Sequence, residues 1–310
     1  MTIPARLAYL AVFVGVLGHA SSEFFAVLSG ISGPEVSVWR YLFGGAGLIV
    51  VALAIEGPRR LLEPLASHAL PLIVYSLIGV SGAYLAFHWA LDFASVIQVA
   101  TLTTTIPILV GLANLVANRL PISRLKMATG ACAIGGLALL ITDGAVERLV
   151  GGSDSLLGIF LGILCAALVA GYAVAIKPII ERYGTMRTTA LSLAIGGLGL
   201  WLCVGLAFAI WVDPTTLFQR PNVAWGSILA LAFWNTTITQ FLWIGGLAAA
   251  ADMTRASYLF FLKPVIAAAL AMTLLGDDLS LLQAAAMVVV MASVLIELLW
   301  PRLAGRSGGV

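Results

Sequence analysis

A chain of 310 residues that is 61% hydrophobic and only 10% charged, with a mean hydropathy of +1.08, has far more apolar surface than a water-soluble core can bury and needs lipid as part of its solvent. A net charge of +2, with Lys and Arg spread along the chain, argues against a nucleic-acid or other polyanionic partner. At about 20 apolar residues per crossing, ten crossings take about 200 residues and leave no room for an extramembrane domain.

In chain order, apolar runs bounded by Gly, Pro and charge predict spans near 7–28, 34–55, 69–91, 95–117, 122–141, 155–178, 188–212, 223–247, 253–275 and 279–300. The first run follows Arg6 and is too long for a signal peptide, so it is read as span one. Pro34, Pro71, Pro121 and Pro221 fall near predicted starts, where a missing N–H costs little. Pro107 and Pro264 fall inside spans four and nine and are expected to break or kink them, with Gly79 and Gly82 as further hinge candidates in span three. Cys132, Cys165 and Cys203 all lie within apolar runs and suggest no disulfide framework.

Orientation follows from the cations. With a cytoplasmic N-terminus, Arg6, Arg59, Arg60, Arg119, Arg124, Lys126, Arg182, Arg187, Arg302 and Arg306 fall on the inner side, against Arg148 and Arg220 outside. Ten spans return the C-terminus to the same side.

The chain also repeats itself. Phe87-His88-Trp89-Ala90 leads into the span broken by Pro107, and Phe241-Leu242-Trp243-Ile244 leads into the span broken by Pro264. Each proline is followed by an Ala/Leu/Gly-rich run, a polar break and one last span. The expected units are 1–142, an external linker at 143–154, 155–300, and a tail at 301–310. Five spans per unit is an odd number, so the second unit enters the membrane inverted, and a site at mid-membrane between the units is expected. The fold class is therefore all-α: a polytopic membrane protein of ten transmembrane helices in two five-helix inverted-topology repeats.

Trp39-Arg40-Tyr41-Leu42, Thr105-Ile106-Pro107-Ile108-Leu109, Leu262-Lys263-Pro264-Val265-Ile266 and Leu275-Gly276-Asp277-Asp278-Leu279-Ser280 carry a resemblance over nearly the whole chain. The sequence resembles the ten-span members of the drug/metabolite transporter superfamily built from two EamA-type repeats. It departs from their Gly-Glu-x-Leu/Ile loop signature, with Ala117-Asn118-Arg119-Leu120 in the first copy and Asp277 at the Glu position of the second. The resemblance implies export of small metabolites, with aromatic and neutral amino-acid exporters of the YddG type similar in length and span number. A bacterial inner membrane is the implied location, with no cofactor.

Ionisable and polar residues deep in spans are the binding candidates. Lys263, beside Pro264, is placed to meet a substrate carboxylate or coupling ion. Ser81, Tyr84 and His88 share one predicted face of span three; Gln98, Thr101 and Thr105 do so on span four. Span eight adds Asn235, Thr236, Thr239, Gln240 and Trp243. Tyr84, Trp234, Trp243 and Tyr258 are candidates for packing a substrate ring or ammonium. Each polar residue could equally be bonding across a helix interface. His19 and Glu23, spaced i, i+4, could form a proton-linked pair or a tether. Trp39, Trp211, Trp225 and Trp300 are expected to anchor at the interface, and Arg40 to snorkel there.

Two other functions compete. Gly79-Val80-Ser81-Gly82 resembles the nucleophile motif of an intramembrane serine hydrolase, but His88 lies about 10 Å further along the same helix, beyond hydrogen-bond reach. No His-Glu-x-x-His metal motif is present. A transporter of phosphorylated metabolites or nucleotide sugars would require several convergent cations, where Lys263 and at most Arg40 are available.

Overall fold

A computed structural model describes residues 2–94, 99, 102–142, 155–266, 269 and 280–304, and every regular element among them is helical. The first half holds α1 (Ala8–Ala20), α2 (Ser22–Leu28), α3 (Gly33–Ser76), a π-helical turn (Leu77–Gly82), α4 (Ala83–Ala90), α5 (Ile106–Asn118) and α6 (Arg124–Thr142). The second holds α7 (Ser155–Tyr183), α8 (Thr185–Phe208), α9 (Asn222–Leu229), a π-helical turn (Ala230–Ile238), α10 (Thr239–Ala249), α11 (Met253–Ser257) and α12 (Leu281–Ala304). The predicted linker at 143–154 and the run from Leu275 to Leu279 lie outside the described residues.

Six described stretches are long and apolar enough to cross a membrane. One of them, Gly33–Ala90, contains two predicted spans. Gly57, at φ +75°, and His68 interrupt the helical backbone between them, so spans two and three meet at the bend while the 58–67 segment stays helical. Pro107 stands in the first turn of α5, where its missing N–H breaks no ladder bond. Pro264 follows a 3-10 turn at Tyr258–Phe261.

The strongest helix pairs join one half to the other: α1 with α10, α3 with α8, α4 with α7, and α6 with α12. Exchanging the halves maps this pattern onto itself, because the α1–α10 pair corresponds to the α7–α4 pair. The equivalent helices α3 and α8 pack antiparallel, Tyr41 against Gly197 and Gly45 against Leu193. Equivalent helices that run in opposite directions are the signature of inverted repeats. The two π-helical turns occupy equivalent positions, in spans three and eight.

Small residues make these pairings close. A Cβ on Gly18 would lie 1.7 Å from Thr239 Oγ1, and all three Thr239 side-chain atoms would be within 3.0 Å. Rotating Thr239 gives no relief.

Ion pairs cluster at the two ends. One end, called here the basic end, ties Lys126 Nζ to Asp252 Oδ2 at 2.7 Å, Arg255 Nε to Glu297 at 3.2 Å, and Arg187 to Glu56 and Glu63. At the opposite end Arg220 pairs with Glu35, and the Asp92 carboxylate accepts from the Gly33 backbone N–H at 3.0 Å. Asp252 also caps α11, accepting from Arg255 N at 2.9 Å. Burial pushes the Asp252 carboxyl up, but the hydrogen bonds from Lys126 and the Arg255 N–H, with both positive charges, outweigh that and hold it below the ordinary carboxylate value.

Two expectations follow. Gly18→Ala overpacks the α1–α10 seam at a cost of about 1–3 kcal/mol, read as a lowered melting temperature in detergent. A carboxyl depressed in the folded state contributes stability that is present above its unfolded pKa of about 3.9 and is lost only as pH falls through the lowered value. The melting difference between the wild type and Asp252→Asn is therefore constant from pH 5 to 8 and shrinks only in stronger acid.

Candidate functional site

At the seam between the halves, α1, α3, α4, α10 and the 258–263 segment converge on a cavity. His19, Arg40, Tyr84, Phe87, Trp243, Phe260 and Lys263 line it, together with Ser22, Thr103 and Cys165. Its volume is about 20 Å³, room for one or two waters. A second pocket of about 10 Å³ lies on the far side of Tyr84 and Trp243, against Gly79, Tyr172, Thr189 and Gln240.

Arg40 was expected to snorkel to the interface, and the structure corrects this: the side chain is 1% exposed. Its Nε donates to Thr236 Oγ1 at 2.9 Å, Nη2 to the Asn235 carbonyl at 3.1 Å, and Nη1 to His88 Nε2 at 3.3 Å. Both span-eight acceptors stand in the π-helical turn, where the ordinary ladder is interrupted. Arg40 Cζ also lies 5.3 Å and 5.6 Å from the ring centres of Tyr41 and Tyr84. Every one of these partners is neutral. Neighbouring Trp39 is likewise buried by protein, its indole donating to Glu35 and its ring covered by the Arg220 guanidinium at that end of the molecule.

His88 stands behind Arg40, outside the cavity lining. A guanidinium can only donate, so His88 Nε2 must accept, and the ring proton sits on Nδ1, facing the Tyr84 carbonyl at 2.9 Å. Ser37 Oγ lies 2.8 Å from the same nitrogen and donates to the Gly33 carbonyl. This arrangement fixes the imidazole and, through it, the guanidinium.

Lys263 brings a second cation to the cavity, with Nζ 5.6 Å from the Phe87 ring centre and 5.7 Å from that of Phe260. His19 stands edge-on to Trp243 and Phe260, at 5.4 and 5.5 Å between ring centres. His19 Nε2 and Trp243 Nε1 are buried and have no hydrogen-bond partner among the described residues. Leaving such a group unpaired costs about 1–3 kcal/mol, so both atoms are poised for water or a ligand.

The remaining candidates are distributed around this centre. Gln240 donates to the hydroxyls of Tyr41 and Tyr84, joining the two pockets. Asn235 turns its amide to the Gly18 carbonyl and to Ser21 Oγ, a tether between spans one and eight. Trp234 is 36% exposed and bonds Ser21 from outside the cavity. Tyr258 is buried, but its hydroxyl donates to the Lys126 carbonyl toward the basic end. The predicted Ser81–Tyr84–His88 face divides, because the π-helical turn shifts the register: Ser81 donates to the Gly196 carbonyl on α8 at 2.7 Å. Gly79 packs against Tyr172, and Gly82 is less crowded. Thr105 bonds the Leu102 carbonyl within its own turn. Gln98, Thr101 and the Glu23 side chain lie outside the described residues, and a break at Ser21 separates Glu23 from the helix carrying His19. Phe87 and Phe260 were missed in the sequence because nothing separates an aromatic wall residue from an aromatic core residue in an apolar run.

No curated protein matches the chain. A solved crystal structure shares its fold with a TM-score of 0.78 at 21% identity, over 96% of this chain and 99% of its own. The EamA-like transporter family matches twice, over residues 6–142 and 156–299, the two halves that pack as inverted equivalents. The chain is an all-α membrane protein that belongs to the EamA-like transporter family of the drug/metabolite transporter superfamily.

Proposed function

We propose that this transporter exports aromatic and other neutral amino acids by alternating access, as a secondary transporter of a bacterial inner membrane with both termini in the cytoplasm. The observation that carries this reading is the pairing of Arg40 and Lys263 in one aromatic-walled cavity at the seam. Two buried cations match a carboxylate, while Tyr84, Phe87, Trp243 and Phe260 supply apolar walls for a ring and π faces for an ammonium. Trp243 Nε1 and His19 Nε2 add the directed polar contacts that fix orientation in such sites. His88 acts through Arg40 as a positioning residue, and Gln240 holds Tyr84.

Pockets that enclose small ligands run to roughly 300–1,000 Å³, far above the size of this cavity. Cargo can enter only if the halves separate along the seam. Inverted halves make opening toward one side the counterpart of opening toward the other. By the excess of cations, the basic end faces the cytoplasm. A phosphorylated metabolite is the second reading, less well served by two cations, and a mixed substrate panel separates it from the first.

In counterflow with purified protein in liposomes, labelled phenylalanine is expected to exchange against neutral amino acids and not against sugar phosphates. Losing a charge-assisted hydrogen bond costs about 1.5–3 kcal/mol, so Arg40→Gln and Lys263→Met each lower exchange about 10- to 100-fold. His88→Ala lowers it less, and Trp234→Phe leaves it within about twofold. Unchanged exchange in Arg40→Gln and Lys263→Met removes the cation pair from the mechanism; exchange with sugar phosphates alone replaces the first reading with the second.

A further inference from the structure

The largest of the cavities described here is not the central one. At the basic end a cavity of about 280 Å³ opens between the two halves, lined by Gly111 and Asn114 of α5, Lys126 of α6, Lys177 of α7, Asp252, and Thr254 of α11. It is more than ten times the volume of the central cavity and close to the range of small-ligand pockets.

Its charges are of both signs. Lys126 and Asp252 form their 2.7 Å pair on its wall, and Lys177 reaches it from α7, with a 3.7 Å contact to Glu181. Asn114 also lines it, its amide donating to the Val110 carbonyl and lying 3.4 Å from Thr254 Oγ1. The two cavities are also neighbours along the same elements. Ile106 lines the central cavity and Gly111 the outer one, five residues apart on α5, or about 7.5 Å at 1.5 Å per residue. On the 254–263 segment Thr254 lines the outer cavity and Phe260 the inner. Tyr258 lies between them in sequence, its hydroxyl tied to the Lys126 carbonyl and close to Gly130.

We propose that this cavity is a second amino-acid site, a loading site at the mouth of the transport path, where Lys126 and Lys177 take the carboxylate and Asp252 takes the ammonium. It rests on the amino-acid reading of the central site. A zwitterion is the class of ligand that fits because it exchanges ion pairs instead of losing them: the Lys126–Asp252 pair opens, and each partner gains an opposite charge on the ligand. A simple organic anion would be brought against Asp252, whose remaining cationic contact is Arg255 Nη2 at 3.6 Å, and a simple cation would be brought against two lysines while Lys126 loses its carboxylate.

Equilibrium binding of labelled L-phenylalanine to the purified full-length protein in detergent tests this. Two molecules are expected per wild-type chain. Asp252→Asn, which keeps a capping side chain on α11, and Lys177→Met each leave one, and that residual binding shows that the variants are folded. Arg40→Gln also leaves one, the mouth site. 3-Phenylpropanoate, which lacks the ammonium, is expected to leave the mouth site empty. One phenylalanine per wild-type chain, retained in Asp252→Asn and lost in Arg40→Gln, overturns the loading site and leaves the central site standing. Equal occupancy of the mouth by 3-phenylpropanoate overturns its assignment to a zwitterion. Failure of the wild type to bind or exchange any amino acid overturns the proposed function itself.

Discussion

A guanidinium held away from both water and lipid headgroups has to be met by protein or by cargo, and Arg40 is in that position. Its hydrogen bonds draw together three pieces of the chain: α3, which carries it; the π-helical turn of span eight, which supplies Thr236 and the Asn235 carbonyl; and α4, which supplies His88. Because those partners are neutral, they relieve the hydrogen-bonding demand of the group and leave its charge. The cavity beside it is also lined by Lys263, and in a low-dielectric medium an anionic group gains far more from a buried guanidinium than it would in water.

The same constraint explains why the halves need one another. Each half carries polar groups that lipid could not satisfy, and each places them on the face turned toward its counterpart. Ser76 finds Ser192, Ser81 finds the Gly196 carbonyl, Thr237 finds the Gly44 carbonyl, and Gln240 finds Tyr41. Glycines bring the helices close enough for these bonds to form. A seam of many small polar contacts, with the ion pairs Lys126–Asp252, Arg187–Glu56 and Arg220–Glu35 toward its two ends, can open at one end while the other stays closed. The wide cavity at the basic end and the closed centre are two stations along that seam.

Much of the architecture is legible in the sequence because its physics is one-dimensional. Apolar run length sets the spans, and the two copies of the aromatic-then-proline pattern betray the repeat. Lys263 is readable for the same reason, as a charge beside a helix-breaking proline in the middle of a span. Arg40 illustrates the opposite case: six residues into span two it could reach either water or the interior, and only the position of Thr236, nearly two hundred residues away, decides between them. The π-helical turns are also silent in the sequence. No residue pattern announces them, yet they divide the expected Ser81–His88 face and orient the carbonyl that Arg40 uses.

The central claim is that the buried cations exist to receive a carboxylate. Calorimetric titration of the purified protein with L-phenylalanine and with L-phenylalaninamide, which keeps the ring and the ammonium but has no carboxylate, tests it most directly. The account predicts binding of the acid and none of the amide; equal affinity for the two would contradict it.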